Sequence, residues 1–331
     1  MKALAERFHQ LTPDQVIGAV ERAGHACTGR AIALNSYENR VYQVERADGE
    51  WLVGKFYRPG RWSVEALDDE HDFIYALDDA GVPVVVPLDL DGDGGTIGTL
   101  TGEAEGIHYA LYPRVRGRPP EEFNDEQLDV IGRALAELHD VGDEGPAPAR
   151  PVLDPDTYGR AELEWLLRHD ALPREVRDGY AYTVEALLDR IAPLFADVPL
   201  HRIHGDCHPG NLLWTPSGPV FLDFDDMRIG PAAQDVWMLV PSYDKDGDRQ
   251  RARLLDAYRE VRDFPGAWLD LVEPLRALRF VHYSAWIARR WKDPVFQRTF
   301  GHFGDIRYWQ REIDDLREQI ARIDARCQQR D

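Results

Sequence analysis

Two stretches decide the fold: HGDCHPGNLL at residues 204–213 and VFLDFDD at residues 220–226. In the first, an apolar segment ends and delivers Asp206 into a loop, and Asn211 stands five residues later. In the second, an apolar strand ends at Asp223. The two stretches therefore predict a short β-insert that presents two carboxylates and one amide at strand ends and loops.

This set of side chains suits phosphoryl transfer. That reaction needs a carboxylate to accept the proton of the acceptor hydroxyl, and oxygen ligands to hold the Mg²⁺ that bridges the phosphates. We expect Asp206 to be the base, and Asn211 and Asp223 to be the metal ligands. The D-x-x-x-x-N spacing is that of the protein-kinase catalytic loop.

A metallohydrolase centre is an alternative interpretation of the same stretch. His201, His204 and His208 lie close in sequence, with Cys207 or Asp206 as further ligands. It is the weaker hypothesis because no second set of ligands elsewhere in the chain completes a known site, and because His204 is expected to pack and steady the loop.

Lysine is rare in this chain. Only four of its 39 basic residues are lysines: Lys2, Lys55, Lys245 and Lys292. Lys55 lies within the apolar segment 51–56, where a buried ammonium group needs a partner. ATP phosphates and a glutamate on a neighbouring helix would supply it; Glu70 is the first candidate and Glu65 the second. The alternative is a lysine that extends its amine past the strand edge into solvent.

The pattern around these stretches separates a sheet-rich N-terminal part from a helical C-terminal part. Apolar segments bounded by turn residues predict strands at 31–34, 40–45, 51–57, 84–88 and 108–115. Capping residues and helical spacing predict helices at 12–23, 63–80, 160–170, 174–192, 248–262, 268–291 and 305–327. Another helix is expected to begin at Asn124 or Asp125, with Leu128, Ile131, Leu135 and Leu138 on one face. The expected fold is α+β and bilobal, like a protein kinase: a nucleotide-binding lobe at 1–115, and a catalytic and acceptor-binding lobe at 116–331.

Composition excludes several classes of protein. The chain carries a formal charge of −20, so we expect no binding to nucleic acid. It has no apolar run of 18 residues and no signal peptide at its N-terminus, and its three cysteines form no CxxC pair. We therefore expect a cytoplasmic protein that does not enter a membrane. We also expect a monomer, a separate prediction that these observations do not establish. The acidity would attract a cationic acceptor, although a simple contribution to solubility explains it better.

The stretch 204–213 resembles the catalytic loop of the aminoglycoside phosphotransferase/choline kinase superfamily. A wider resemblance points to its bacterial stress response kinase A branch, and covers roughly residues 10 to 300. It rests on the segments 34–43, 55–59, 61–62, 230–232, 234–239, 273–277 and 289–291. The resemblance implies a cytoplasmic, ATP- and Mg²⁺-dependent Ser/Thr protein kinase of the stress response, with a protein acceptor that includes the chain itself as a phosphoprotein.

The resemblance also assigns roles that the residues alone leave open. The chain has no G-x-G-x-x-G; instead the polar segment 35–40 joins two strands, and Ser36 is the implied ATP contact. Independently of the resemblance, adenine is expected at the segment 112–115 between the lobes, because a hinge needs one carbonyl and one N–H that face the base. Pro113 would supply the carbonyl and Val115 the N–H; the alternative is a plain strand exit. For Asp235 the resemblance implies a brace on the catalytic loop, and local sequence favours a helix N-cap.

Three functional hypotheses remain open at this point. A Ser/Thr protein kinase is favoured over a small-molecule kinase for an aminoglycoside, choline-like or sugar acceptor. A binding module without catalysis is disfavoured because every catalytic position is filled. The arginines of the C-terminal part either pair with its many carboxylates or line an acceptor groove; those in question are Arg276, Arg279, Arg289 and Arg290.

Overall fold

The computed structural model describes residues 2–328, with side chains from residue 4 onward; residues 1 and 329–331, which belong to the two predicted lobes, lie outside this range. The chain divides into two compact units. The first unit holds Met1–Arg150 and His208–Met227, and the second holds Pro151–Cys207 and Arg228–Asp331. The boundary predicted after residue 115 separates a nucleotide-binding lobe from an acceptor-binding lobe. The division into compact units does not show where a nucleotide or an acceptor binds, so this boundary stays a prediction.

An antiparallel sheet forms the centre of the first unit, as the sequence predicts. Its strand order is β1-β2-β3-β5-β4. The strands are β1 (Cys27–Leu34), β2 (Arg40–Arg46), β3 (Trp51–Phe56), β4 (Gly98–Thr99) and β5 (His108–Pro113). Asp48 and Gly49 make the tight turn between β2 and β3, and Gly49 has a φ of +87°, which a residue without Cβ adopts at no steric cost.

The first unit also contains four helices: α1 (Lys2–His9), α2 (Pro13–Arg22), α3 (Val64–Asp79) and α4 (Asp125–Asp143). The predicted caps are present: Thr12 and Gln15 form a capping box, and Ser63 Oγ accepts the N–H of Ala66. The buried face of α3 includes Leu67 and Phe73, and it also carries Glu70, a charged residue that needs a partner there.

The prediction of a strand at 84–88 is wrong. Val84 makes a single parallel bridge to Phe221, and only Leu88 donates to the sheet, through its N–H to the Leu111 carbonyl at 2.7 Å. Pro83 and Pro87 lack the N–H groups that a continuous ladder requires. The short β4, which the sequence pattern did not indicate, takes the edge beside β5 instead.

A two-stranded hairpin in the first unit carries the predicted metal ligands. Strands β7 (Leu212–Thr215) and β8 (Gly218–Phe221) pair antiparallel. Just beyond this ladder, the N–H of Leu222 donates to the carbonyl of Asn211 at 2.9 Å. The hairpin thus keeps Asn211 beside the residue that precedes Asp223.

The second unit is mainly helical, as predicted. Its helices are α5 (Ala161–Arg168), α6 (Arg174–Phe195), α7 (Ala233–Leu239), α8 (Lys245–Tyr258), α9 (Val272–Arg290), α10 (Pro294–Thr299) and α11 (Ile306–Gln328). Strands β6 (His201–Ile203) and β9 (Arg228–Gly230) pair antiparallel. The helix predicted from residue 268 begins with a 3₁₀ segment, Gly266–Leu271, before it becomes α-helical. Among the described residues, no helix is long and apolar enough to cross a bilayer.

Candidate active site

Lys55 is the centre of a buried ion cluster in the first unit. Its position in β3, between β2 and β5, leaves the side chain only 8% exposed. Its Nζ lies 2.8 Å from Asp223 Oδ1, 3.3 Å from Asp225 Oδ1 and 3.5 Å from Glu70 Oε1. Burial alone would lower the pKa of Lys55, but the three carboxylates outweigh it and hold the pKa well above its usual value. Lys55 therefore stays charged without reaching solvent.

Glu70 bridges two cations in this cluster. Its other oxygen, Oε2, accepts a hydrogen bond of 2.6 Å from Nη2 of Arg150, whose side chain is fully buried. Arg150 also donates to the carbonyls of Ala66 and Asp225, at 2.7 and 2.8 Å. Burial raises the pKa of Glu70, and the two cations act against that rise. Glu70, rather than Glu65, is thus the glutamate beside Lys55.

Asp225 is the second buried carboxylate of the cluster. Arg61 pairs with it through Nη1 and with Asp226 through Nη2, the latter at 2.8 Å. Burial would raise the pKa of Asp225, but Arg61 and Lys55 reverse that effect and lower it. The stretch 220–226 therefore supplies a structural carboxylate as well as the predicted metal ligand.

Asp223 differs from Asp225 in conformation and exposure. Its backbone is left-handed, with φ 59° and ψ 65°, a region that aspartate tolerates better than most residues. Its side chain is just over half exposed. A carboxylate that is accessible on one side, joined through Leu222 to the neighbouring Asn211, fits a Mg²⁺ ion that keeps waters and takes its other ligands from phosphates.

The polar loop between β1 and β2 is held at several points. Ser36 Oγ accepts the N–H of Asn39 at 3.3 Å. The buried Asn39 side chain accepts the N–H of Arg58 at 3.1 Å, and Arg58 donates to the carbonyls of Tyr37 and Glu38, each at 3.0 Å. The loop therefore has a fixed conformation in which Ser36 remains half-buried at the surface.

The two predicted adenine contacts lie at the end of β5. Pro113 is exposed and pairs with Leu52 in the ladder, and Val115 follows as a half-buried residue outside any strand. Between them, the N–H of Arg114 donates a hydrogen bond to the carbonyl of Trp51 at 3.2 Å. Their contact with a nucleotide stays a prediction.

In the second unit, the loop that carries Asp206 is braced by α7. The carboxylate of Asp235, which is fully buried, accepts the N–H of His204 at 2.8 Å and that of Gly205 at 2.9 Å. Gln234 donates to the carbonyl of Gly205 at 3.0 Å. The N-cap position predicted for Asp235 is wrong, because Ala232 holds it and Asp235 belongs to the first helical turn, where its side chain reaches the loop.

The carboxylate of Asp206 has a cation beside it. Nη2 of Arg279, on α9, lies 2.9 Å from Asp206 Oδ1. The backbone N–H of Asp206 donates to Nδ1 of the buried His204 at 3.3 Å, so His204 packs against the loop. The described residues contain no group of three or more His, Cys, Asp or Glu side chains arranged to hold a metal ion.

The geometry can be compared with known proteins. The model of the phosphotransferase enzyme family (APH) matches residues 30–269. The chain belongs to the phosphotransferase enzyme family. Stress response kinase A of Salmonella paratyphi A is 38% identical to this phosphotransferase over 313 residues, 94% of this chain and 93% of that protein. The serine/threonine protein kinase RdoA of Salmonella typhimurium matches equally well, and stress response kinase A of Escherichia coli K12 is 35% identical over 320 residues, 96% and 95% of the two chains.

These matches place the phosphotransferase on the stress response kinase A branch, as the sequence motifs predict, and make it an enzyme of the kinase type. Solved structures share its fold at lower identity. An amicoumacin kinase in complex with AMP-PNP and Ca²⁺ has a TM-score of 0.69 at 19% identity, covering 88% of this chain and 90% of its own. A microcompartment-associated aminopropanol kinase has a TM-score of 0.63 at 21% identity, covering 93% and 98%.

Three side chains of the phosphotransferase were not foreseen as parts of the ion network: Arg61, Arg150 and Asp225. The alternation of Asp223 and Asp225 across one intervening residue is a signal that could have suggested two carboxylates with different roles. Arg150 gives no local signal, because it lies in a proline-rich loop 80 residues from Glu70. The sequence does not distinguish Arg279 from Arg276, Arg289 and Arg290, whereas the structure pairs it with Asp206.

Proposed function

We propose that this chain transfers the γ-phosphoryl group of ATP, in the presence of Mg²⁺, to Ser or Thr hydroxyl groups of proteins, including its own. The observation that carries the proposal is the Lys55 cluster: a buried ammonium group between Glu70 and the accessible carboxylate of Asp223. A charged lysine in an apolar strand needs anionic partners, and Glu70, Asp223 and Asp225 supply them here. In kinases, a lysine paired with a glutamate in this way contacts the phosphates of the nucleotide.

Asn211 and Asp223 would hold the metal ion. When bound, Mg²⁺ would neutralise the negative charge of the phosphates. Lys55, fixed by Glu70, offers a second cation to the phosphates, and Ser36 offers a hydroxyl from a loop that is already ordered. The ordering matters because phosphoryl transfer depends on positioning and electrostatics more than on covalent chemistry.

Asp206 would accept the proton of the acceptor hydroxyl. Its loop does not depend on side-chain packing alone, since Asp235 and Gln234 hold the backbone of the two preceding residues. A base that is fixed in this way loses little entropy when the acceptor arrives. Support for a protein acceptor comes from the relative named a serine/threonine protein kinase, which is 38% identical over 94% of this chain.

The test is transfer of labelled γ-phosphate from Mg·ATP to a generic Ser/Thr-containing protein and to the enzyme itself, with phosphorylated residues located by mass spectrometry. We expect label on Ser or Thr that disappears in Asp206→Asn. Label that appears only on added small alcohols, and never on protein, would replace the protein acceptor with a small-molecule acceptor. Absence of Mg·ATP binding would refute the proposal as a whole.

A further inference from the structure

We propose that Arg61 is a positioning residue that joins the loop 35–40, which carries Ser36, to the segment 223–226, which carries Asp223. By holding the two together, it makes nucleotide binding depend strongly on Mg²⁺. The inference deepens the proposed function and rests on it, because it takes Ser36 as a phosphate contact and Asp223 as a metal ligand. All the residues that carry the inference belong to the first unit.

Arg61 holds the segment 223–226 through two carboxylates. Its Nη1 pairs with Asp225, and its Nη2 lies 2.8 Å from Oδ1 of Asp226. The side chain of Arg61 is 11% exposed and that of Asp225 is 5% exposed, so dissolved salt screens this pair little. A planar guanidinium group that contacts two carboxylates through two nitrogens fixes their direction as well as their distance. The segment is thereby restrained at the second and third residues after Asp223.

Arg61 also faces the loop 35–40. Its Nη1 lies 3.8 Å from Oε2 of Glu38, whose side chain is 12% exposed. Oε1 of the same glutamate lies 3.2 Å from Nε of Arg58, which also donates to two carbonyls of the loop. Glu38 therefore lies between two arginines, one that fixes the loop and one that fixes the segment 223–226.

The connection between β3 and α3 gives Arg61 a fixed position. The N–H of Arg61 donates to the carbonyl of Arg58 at 3.3 Å, and Gly60 between them has a φ of +79°, a value that favours glycine. The ring centroid of the next residue, Trp62, lies 5.3 Å from Cζ of Arg61 and 4.4 Å from Cζ of the buried Arg150. The guanidinium group of Arg61 is thus held by its own backbone and by an aromatic ring as well as by its carboxylate partners.

A bound Mg·nucleotide would contact both of the parts that Arg61 joins, with its phosphates at the loop 35–40 and its metal ion at the segment 223–226. Parts that are already fixed relative to each other lose little entropy when one ligand contacts both. The phosphates and the metal ion then bind cooperatively. Without Arg61 the loop and the segment would bind them more independently, so Mg²⁺ would increase nucleotide affinity less.

A simple effect of charge predicts the opposite sign. Nucleotide without Mg²⁺ is more negative than Mg·nucleotide, so the loss of a nearby cation weakens its binding more. The ratio of the Kd without Mg²⁺ to the Kd with Mg²⁺ would then rise when Arg61 is replaced by a neutral residue. The positioning role predicts that the same ratio falls, so its direction of change separates the two effects.

The experiment measures this ratio by calorimetry with a non-hydrolysable ATP analogue, in EDTA and in saturating Mg²⁺, for wild type, Arg61→Met, Arg61→Lys and Arg46→Met. Association of Mg²⁺ with the analogue in solution is the same for every variant, so it cancels in the comparison. Arg46 is the matched control, because its ion pair with Asp48, at 2.8 Å, lies at the end of β2 that is far from the loop 35–40. Urea denaturation checks that each variant is folded.

A double-mutant cycle tests whether the loop is tied through Arg61. Glu38→Gln should lower the ratio in wild type and have no further effect in Arg61→Met, because both substitutions break the same connection. An equal effect of Glu38→Gln in both backgrounds would mean that Arg61 does not join the loop to the segment 223–226, and would overturn the inference.

We expect the ratio to fall about tenfold in Arg61→Met and about threefold in Arg61→Lys, which keeps the charge but cannot hold two carboxylates at once, with no change in Arg46→Met. An unchanged or increased ratio in folded Arg61→Met, or an equal fall in Arg46→Met, overturns the inference while nucleotide binding remains. If Arg61→Met does not fold, Arg61→Lys decides, and a wild-type ratio in that variant overturns the inference. Wild type that binds no Mg·nucleotide refutes the proposed function and the inference together.

Discussion

The Lys55 cluster of the first unit and the Asp206 loop of the second unit fix their functional groups in different ways. In the cluster, charged side chains hold one another: Lys55, Glu70 and Asp225 each face at least one ion of opposite sign within 3.5 Å. In the loop, a buried carboxylate holds backbone N–H groups instead. An ion cluster can exchange partners when a charged ligand arrives, whereas a backbone brace keeps one geometry. The cluster is thus suited to receive phosphates, and the loop to present a base.

Removal of the brace should have the largest effect on stability. Asp235→Ala leaves two buried N–H groups without their acceptor and opens a cavity at a fully buried position, so we expect a loss of about 4 kcal/mol in the free energy of unfolding. Asp235→Asn retains one acceptor oxygen and should lose about half as much. Urea denaturation measures both values. A loss below 1 kcal/mol for the alanine variant would mean that the loop does not depend on this brace.

The second unit also contains a half-buried carboxylate with a raised pKa, Glu312, and the pH dependence of stability should reveal it. Glu312 lies 2.9 Å from the hydroxyl of Ser284, which also lies 2.9 Å from the hydroxyl of Tyr308. Burial, reinforced by the nearby Asp315, raises the pKa of Glu312 from 4.5 to about 7, and the hydrogen bond from Ser284 acts in the opposite direction.

Because the folded protein holds this proton more tightly than the unfolded chain, the stabilisation is fully present below pH 4.5 and is lost as pH rises to about 7. We expect Glu312 to contribute a fall on the order of 3 kcal/mol across that interval. Glu312→Gln should flatten this part of the stability profile in chemical denaturation at a series of pH values. A variant whose profile parallels wild type between pH 4.5 and 7 would contradict this account of Glu312.

Loss of the cation at the centre of the cluster should cost less than loss of the brace. Lys55→Met leaves Glu70 and Asp225 buried, but Arg150 and Arg61 still face them, so we expect a loss of about 2 kcal/mol. Mg·ATP affinity should fall much more steeply, since no other lysine lies in the sheet of the first unit as described by the structure. Calorimetric titration with a non-hydrolysable ATP analogue measures it, and unchanged affinity would remove Lys55 from the proposed nucleotide site.

The smallest effect is expected at the loop between β1 and β2. Ser36→Ala removes the hydroxyl that accepts the N–H of Asn39, but Arg58 still holds two carbonyls of the loop. We expect a loss of less than about 1 kcal/mol in the free energy of unfolding and a few-fold increase in the KM for ATP. Ser63→Ala, which weakens the cap of α3 at a distance from the loop, is the control and should change stability without changing that KM.

The sequence could predict those features that depend on local patterns. Caps at Thr12 and Ser63 place two helices correctly, because a capping side chain contacts residues only three positions away. For a third helix the sequence leaves Asn124 and Asp125 open, and the structure shows that Asn124 is the cap. The antiparallel sheet follows from alternating segments and the turn at Gly49. The catalytic motif is recognisable because its residues are close in sequence, and the family match confirms the class of enzyme it indicates.

The sequence could not predict contacts that join distant segments. Arg150 reaches Glu70 across 80 residues, and Arg61 reaches Asp225 across 164. Neither arginine lies in a periodic pattern, so nothing local distinguishes it from the other arginines of the chain. The segment 84–88 has the apolar side chains of a strand, but Pro87 within it and Pro83 just before it lack the donors that pairing requires. The roles of Ser36, Pro113 and Val115 stay predictions because they depend on a bound nucleotide.

The measurement that tests the central claim most directly is a paired comparison of wild type and Asp206→Asn: binding of Mg·ATP by calorimetry, and transfer of γ-phosphate to Ser or Thr in a single turnover. We expect equal nucleotide affinity, with the rate of transfer reduced by about a hundredfold or more in the variant, because only the base is lost. Transfer at the wild-type rate by Asp206→Asn, with nucleotide bound as tightly, would contradict the assignment of Asp206 as the base on which the proposed mechanism depends.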